Sequence, residues 1–379
     1  MNTDSQRETL TLALFFTRGV SLKRWDEVGN LSREIALYNE LAPHLRRIYF
    51  FTYGSSDDLR YQDRLAGNIV VVPKLLPLPS LLYMLALPFL AKKYCREADV
   101  YKTNQMKGGF AAMIAKRLYR KKLIVRCGYE WLQASMRKGV RPWRIRLIRW
   151  IERRVYRAAD AIVLTAGHMH QFIHEQFGIA MDDPRVQIIG NYIDTDLFRP
   201  MPEVQRQSRS LCFVGRLAEQ KNLHNLIEAL VATNAHLHLY GEGPLEEELR
   251  QLAHDRNVET TFHGRVANDE LPMAMRRCEL FILPSLYEGN PKVLLEAMAC
   301  GMPVVGTDVE GIADILTHEK DGLLTSTDSA ALHDTIETFL GDAELRQRLG
   351  AQARETIVMT YGLSVIMIKE KVLYNNLCQ

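Results

Sequence analysis

Long unbroken apolar runs are missing from this 379-residue sequence. Its most apolar stretch, Leu75 to Ala91, is interrupted by Pro77, Pro79 and Pro88. A membrane-spanning helix needs about 20 apolar residues, so no segment is expected to cross a bilayer. Paired cysteines are missing too. Cys95, Cys127, Cys212, Cys278, Cys300 and Cys378 are scattered, with no Cys-x-x-Cys, which argues for reduced thiols in the cytoplasm and against a zinc site. The opening stretch, Met1 to Leu10, is polar and carries Asp4 and Glu8; it does not read as a secretory leader. A large excess of one charge is absent as well. The net charge is +3, so any strongly cationic surface must be local. Neither Gly-x-Gly-x-x-Gly nor Gly-x4-Gly-Lys-Ser occurs, which excludes the usual dinucleotide fingerprint and the P-loop.

What is present describes a globular α/β chain. Apolar residues make up 47% and charged residues 25%, and the length suits two or three domains with full cores. Leu10 to Phe16 reads as a buried strand. Further strands are expected near 48–53, 69–72, 99–103, 123–127, 160–164 and 186–190, with helices near 108–119, 142–158 and 168–177. Such alternation implies a parallel sheet covered on both faces. After polar residues up to Arg209 the pattern restarts at Leu211 to Val214, which runs into Gly215-Arg216-Leu217-Ala218-Glu219-Gln220-Lys221. A glycine after a strand, then Arg and Lys five apart, sets two cations over a sheet's C-terminal edge. An Arg fork and a Lys point charge both suit phosphate oxygens.

The most informative stretch is Leu280 to Thr307. Leu280 to Leu283 suits a buried parallel strand. A loop with Glu288, Gly289 and Asn290 follows, then a helix from about Lys292 to Cys300 that ends at Gly301 before Pro303. Asn290 is expected to cap this helix and Pro291 to occupy its first turn. The loop therefore lies at a strand's C-terminal end, where open α/β sheets bind ligands. Glu288 and Glu296 flank the helix start, whose N–H groups suit a phosphate.

Residues 288–305, Glu-Gly-Asn-Pro-Lys-Val-Leu-Leu-Glu-Ala-Met-Ala-Cys-Gly-Met-Pro-Val-Val, resemble the donor-site signature of the retaining glycosyltransferases of family 4. That family has the GT-B fold, two Rossmann-like domains whose parallel sheets face each other across a cleft. Asn-Pro-Lys stands where Phe-Gly is more usual, which bears on the donor sugar. The resemblance implies an acceptor-binding domain over 1–200, with a C-terminal helix at about 361–379 packing back on it. It implies a nucleotide-sugar-binding domain over 201–360, and Gly190 to Pro200 resembles the connection between the two. The implied reaction is transfer of a sugar from a nucleoside diphosphate donor to an acceptor hydroxyl, with retention and with no metal or other cofactor. The matching catalytic residues are Arg216, Lys221 and Glu288. Gly215, Arg265, Asn290, Pro291, Lys292, Val293 and Glu296 match donor-binding positions, with Glu296 on the ribose.

In the N-terminal half, Gly19 lies in a first loop, Thr17 to Gly29, that faces the acceptor in such enzymes. At the strand end Ile124 to Trp131, Arg126, Tyr129 and Glu130 are candidate contacts for acceptor or sugar. Many relatives place a histidine near there; this chain has Cys127-Gly128, so none is carried over. Between Arg137 and Arg157, nine cations stand against the single acid Glu152, with Trp143 and Trp150 interleaved. This composition suits an anionic membrane surface and, beside the 75–91 run, a lipid-linked or cell-surface saccharide acceptor met at the cytoplasmic face. No nucleic-acid motif accompanies the charge. His168 and His170 are two apart on a helix and point to different faces, so no metal pair is expected; Asp194-x-Asp196 sits in the interdomain stretch. A catalytically silent GT-B subunit that binds a partner transferase or lipid, and a nucleotide-sugar epimerase, are the alternatives.

Overall fold

The computed structural model describes residues 10–378, so the polar opening read above as no leader lies outside them, Leu10 excepted. The chain divides into two compact units, one reaching to Gly190 and resuming at Ile366, the other Asn191–Val365.

The first unit is built on seven parallel strands: β1 (Thr11–Phe15), β2 (Arg47–Phe51), β3 (Ile69–Val72), β4 (Val100–Thr103), β5 (Lys122–Cys127), β6 (Ala161–Leu164) and β7 (Val186–Ile188). Their order is β3-β2-β1-β4-β5-β6-β7. Helices on both faces leave the central strands no contact with water, which is why β1 and β6 are wholly buried and read as uninterrupted apolar runs. The order reverses between β1 and β4, so this unit's crevice opens beyond Phe15 and Thr103. Gly108 closes it: a Cβ there would lie 2.8 Å from the Phe15 carbonyl oxygen.

The second unit has six strands: β8 (Gln207–Val214), β9 (His236–Tyr240), β10 (Thr260–Gly264), β11 (Cys278–Leu283), β12 (Val304–Thr307) and β13 (Leu323–Thr325). All pair in parallel, in the order β10-β9-β8-β11-β12-β13. Leu237, Leu239, Phe281, Ile282, Leu294 and Met298 belong to one buried apolar cluster. The reversal here falls between β8 and β11, so the stretches after Val214 and after Leu283 are brought side by side.

Residues 191–200, read as the connection between the domains, follow directly on the division at Gly190 and are bound into the second unit. Ile193 N donates to Tyr361 O at 2.9 Å, and the Arg354 guanidinium donates to the carbonyls of Phe198 (2.7 Å) and Thr195 (3.0 Å). The 17–29 stretch is not all loop. It contains the helix Leu22–Glu27, because Ser21 Oγ accepts from Arg24 N and the buried Asp58 carboxylate accepts from Lys23 N at 3.0 Å. Finally, the helix Ser80–Leu90 runs through Pro88. The proline lies in the last turn and forfeits its own N–H bond there, while its carbonyl takes a hydrogen bond from Tyr119 Oη at 2.8 Å.

Candidate functional site

In the second unit, the C-terminal tips of β8, β9 and β10 stack on one another through backbone. Gly215 N donates to Tyr240 O (2.9 Å), and Gly241 N to Gly264 O (2.7 Å). Gly241 has φ +142°, and a Cβ there would lie 1.9 Å from the Gly215 carbonyl oxygen, so only glycine fits. This stacking fixes the start of the loop that carries Arg216 and Lys221.

The β8 and β11 loops are tied across the switch point. Gln220 Nε2 donates to Tyr287 O and Leu286 N to Gln220 O, both at 2.8 Å. The charged centre lies between them. Lys221 Nζ meets Glu288 Oε1 at 2.5 Å, and Ser285 Oγ donates to the same oxygen at 2.7 Å. Both charged side chains are largely buried. Water therefore screens this pair less than it would a surface pair, and the geometry of Glu288 is held from two sides. From the β12 side, Gly311 at φ +81° lets the backbone of Glu288 and Gly289 approach; a Cβ would lie 2.3 Å from Gly289 O. Arg216, one residue past Gly215, is exposed and has no hydrogen-bonded or ionic partner among the described residues.

The helix Lys292–Ala299 begins four residues after Glu288. Asn290 does not cap it. Asn290 Oδ1 accepts from Asn191 N (3.0 Å), and Asn290 O accepts from Asn191 Nδ2 (2.8 Å). Pro291 takes the cap position without a side-chain bond; its carbonyl accepts from both Leu294 N (3.1 Å) and Leu295 N (3.4 Å). The Val293 N–H has no acceptor among the described residues. Lys292 reaches 6.0 Å from the centre of the Tyr192 ring.

Glu296 is not open to solvent. It is fully buried, and Asn268 Nδ2 donates to its Oε1 at 2.9 Å. Arg265, at the tip of β10, pairs with Glu242 from the β9 tip at 3.3 Å and is exposed. The geometry thus gathers Gly215, Lys221 and Glu288 with Gln220, Ser285 and Gly311. It sets Arg216 at the rim, and it places Arg265 on a strand two removed from β8. Gln220, Ser285, Asn268 and Gly311 are not singled out by sequence reasoning. A clue existed for Gln220 and Ser285, since both lie inside the two loops already marked; Asn268 has no local signal.

In the first unit, Gly19 has φ +83° with open space around its missing side chain. Tyr129 is exposed, and the Lys107 ammonium lies 6.0 Å from its ring and 5.5 Å from that of Trp131. Arg126 is half-buried, its N–H bonded to Thr103 Oγ1 at 2.9 Å. Glu130, expected as a contact, is buried at the foot of the helix Trp131–Arg137. Cys127 is buried beside it. Burial pushes its thiol well above the usual range, and neighbouring Glu130 and Glu152 add to the rise, so it stays protonated. The histidines and the Asp194 pair make local bonds: His174 Nδ1 lies 2.8 Å from Ile179 O, and Asp194 Oδ1 accepts from Asp196 N at 3.0 Å. No group of three or more His, Cys, Asp or Glu among the described residues is placed to hold a metal ion.

Residues 194–356 match the family described as glycosyl transferases group 1, and residues 36–191 match the glycosyl transferase 4-like domain. The chain is 26% identical over 266 residues to alpha-maltose-1-phosphate synthase of Mycolicibacterium smegmatis, covering 61% of this chain and 68% of that protein. It is 29% identical over 247 residues to the GDP-mannose-dependent alpha-(1-6)-phosphatidylinositol monomannoside mannosyltransferase of Mycobacterium tuberculosis, covering 58% and 63%. The match thus spans about two thirds of each relative's length. The structure of Anabaena HepE in complex with UDP and glucose superposes with a TM-score of 0.77 at 18% identity, over 97% of this chain and all of that one. Two parallel α/β sheets in this order, and two matched families that meet near residue 192, lead to one assignment: the chain belongs to the group 1 glycosyltransferases and has the GT-B fold.

Proposed function

We propose that this glycosyltransferase moves a sugar from a nucleoside diphosphate donor to an acceptor hydroxyl with retention at the anomeric carbon, as in family 4, without a metal ion or other cofactor. The observation that carries the proposal is the Lys221–Glu288 pair held at the switch point, with the unengaged Arg216 at its rim and the Val293 N–H beside it. A leaving diphosphate needs positive charge already in place, and a fixed ammonium, a guanidinium and a helix N-terminus provide it without reorganisation. Glu288, clamped by Lys221 and Ser285, orients the sugar through its hydroxyls. Arg265 lies where the base is held. Asn290, Pro291 and Lys292 line the sugar side. Glu296 takes the ribose once the Asn268 amide turns aside. In the transfer, the bond from the anomeric carbon to the diphosphate oxygen breaks. The acceptor oxygen bonds on the same face, and its proton passes to the departing phosphate.

The second unit is the donor domain and the first the acceptor domain, with Gly19, Arg126 and Tyr129 on the acceptor side. The acceptor is a saccharide on a lipid or a cell-surface glycan, met at an anionic membrane through Arg137–Arg157. The lipid-borne acceptor named for the mycobacterial mannosyltransferase supports this reading.

A thermal-shift screen of UDP-, GDP- and ADP-sugars tests the donor reading. A hundredfold excess over the dissociation constant gives about 2.7 kcal/mol, a rise of roughly 5–10 °C at about 2–4 °C per kcal/mol. Arg216→Ala and Lys221→Ala should each weaken the effective nucleotide sugar at least tenfold, and the wild type should release nucleoside diphosphate. No shift with any nucleotide sugar at millimolar concentration, or unchanged affinity in both variants, would refute the assignment.

A further inference from the structure

The chain passes from β3 across to β4 and then steps through β5, β6 and β7 in one direction. Right-handed crossovers therefore put the helices Ser80–Leu90, Gly109–Tyr119 and Pro142–Ala158 on one face of the first unit. They pack in that order, the first on the second and the second on the third. This face carries two features that the transfer reaction does not use.

The first is apolar. From Leu75 to Ala91 there is no charged residue. The Ser80–Leu90 helix buries Tyr83, Met84, Leu87 and Pro88, yet Leu81, Leu82, Leu85, Phe89 and Leu90 remain 41–59% exposed, and Leu75 just before it is 72% exposed. A soluble helix puts polar residues on its outer face; this one is apolar all round, and exposed apolar patches of this kind mark interaction surfaces. The second feature is cationic and aromatic. On the Pro142–Ala158 helix, Trp143, Leu147 and Trp150 recur at helical spacing and are about half exposed. Arg144 and Arg154 lie 5.2 and 4.5 Å over the two indole rings. Lys92, Lys93 and Arg96, all exposed, follow the leucines.

A protein partner or a second copy would cover the leucines but would have to desolvate or pair the surrounding cations. A bilayer with anionic lipids satisfies both at once. Acyl chains take the leucines, headgroups take the arginines, and indole rings prefer the boundary between them. We propose that this face is seated in the monolayer of an anionic membrane, with the Leu75–Leu90 segment among the acyl chains and the Pro142–Ala158 helix in the headgroup layer. The proposal rests on reading Arg137–Arg157 as membrane-facing and adds an inserted apolar element, so that binding persists when salt has screened the charges.

Flotation of the full chain on vesicles tests this, using phosphatidylcholine alone and with 30% phosphatidylglycerol at about 50 and 500 mM NaCl. Wild type should float on the anionic vesicles at both salts. Leu85→Asp/Phe89→Asp, both at exposed sites, should lose the high-salt fraction at least tenfold with an unchanged unfolding midpoint. Arg144→Ser/Arg146→Ser/Arg153→Ser should lose the preference for anionic vesicles yet keep binding that the aspartates abolish. If the aspartate variant floats like wild type at high salt while the serine variant does not float, the inserted element is refuted and the charged surface stands. Failure of wild type to float on any vesicle, with a dimer in solution that the aspartates dissociate, overturns both.

Discussion

Glu152 is the acid that the Arg137–Arg157 stretch does not expose. It is 1% exposed on the Pro142–Ala158 helix, and neither carboxylate oxygen completes a hydrogen bond. Burial raises its pKa to about 8. The Glu130 charge adds to the rise, while the Leu132 and Trp131 N–H groups and the Lys107 ammonium oppose it. Cys127 and Tyr156 are its other titratable neighbours, and both stay protonated in this range because burial raises them. The folded pKa lies above the unfolded one, so between the two the folded state binds one more proton and stability falls as pH rises. Each unit is worth 1.36 kcal/mol. Between about pH 5 and pH 8 this group alone removes about 4 kcal/mol. Glu152→Gln keeps the shape and removes the titration. Its stability relative to wild type should therefore rise by about 4 kcal/mol from pH 5 to pH 8, or about 10 °C in the difference between midpoints. Parallel thermal or urea melts of both proteins across that range measure it. A difference that stays flat, or that shrinks as pH rises, would show that Glu152 is ionised in the fold and that the reasoning from burial is wrong.

Further outcomes follow from the surroundings of single residues within each unit. Lys102 is fully buried, with its Nζ 2.6 Å from Glu370 Oε1 and 3.1 Å from Tyr374 Oη on the helix Leu363–Cys378. Lys102→Met should cost about 3–5 kcal/mol by stranding the Glu370 charge, and adding Glu370→Met should restore most of it in denaturant melts; equal losses in single and double variants would contradict this. Gly311→Ala meets both a positive φ and the Gly289 carbonyl oxygen at 2.3 Å, so it should cost about 2 kcal/mol or more and abolish nucleotide-sugar binding. Gly19→Ala, with φ +83° and open space, should cost only about 1 kcal/mol; similar losses in the two would show that the loop gives way.

Much of the fold was legible along the chain, because parallel strands buried on both faces announce themselves as local apolar runs. The strand at Cys278–Leu283, the helix at Lys292–Ala299 and its stop at Gly301, whose φ is +67°, lie close to where spacing and turn chemistry put them. The alternation of strands and helices likewise implied parallel sheets, and two are present. Arg216, Lys221 and Glu288 were marked by their positions after strands, a signal carried within a few residues.

Tertiary structure alone decided which of those groups meet and which are enclosed. Lys221 and Glu288 are 67 positions apart and pair because β8 and β11 are neighbours. Asn290 looked like a cap, but Asn191 claimed its side chain from 99 positions away. Glu130 and Glu296 read as contacts for a ligand, yet both are buried, as is Glu152, whereas five large apolar residues of the Ser80–Leu90 helix, Leu81, Leu82, Leu85, Phe89 and Leu90, lie on the surface. Local sequence records a residue's intrinsic preference for water; whether water reaches it depends on distant segments packing over it.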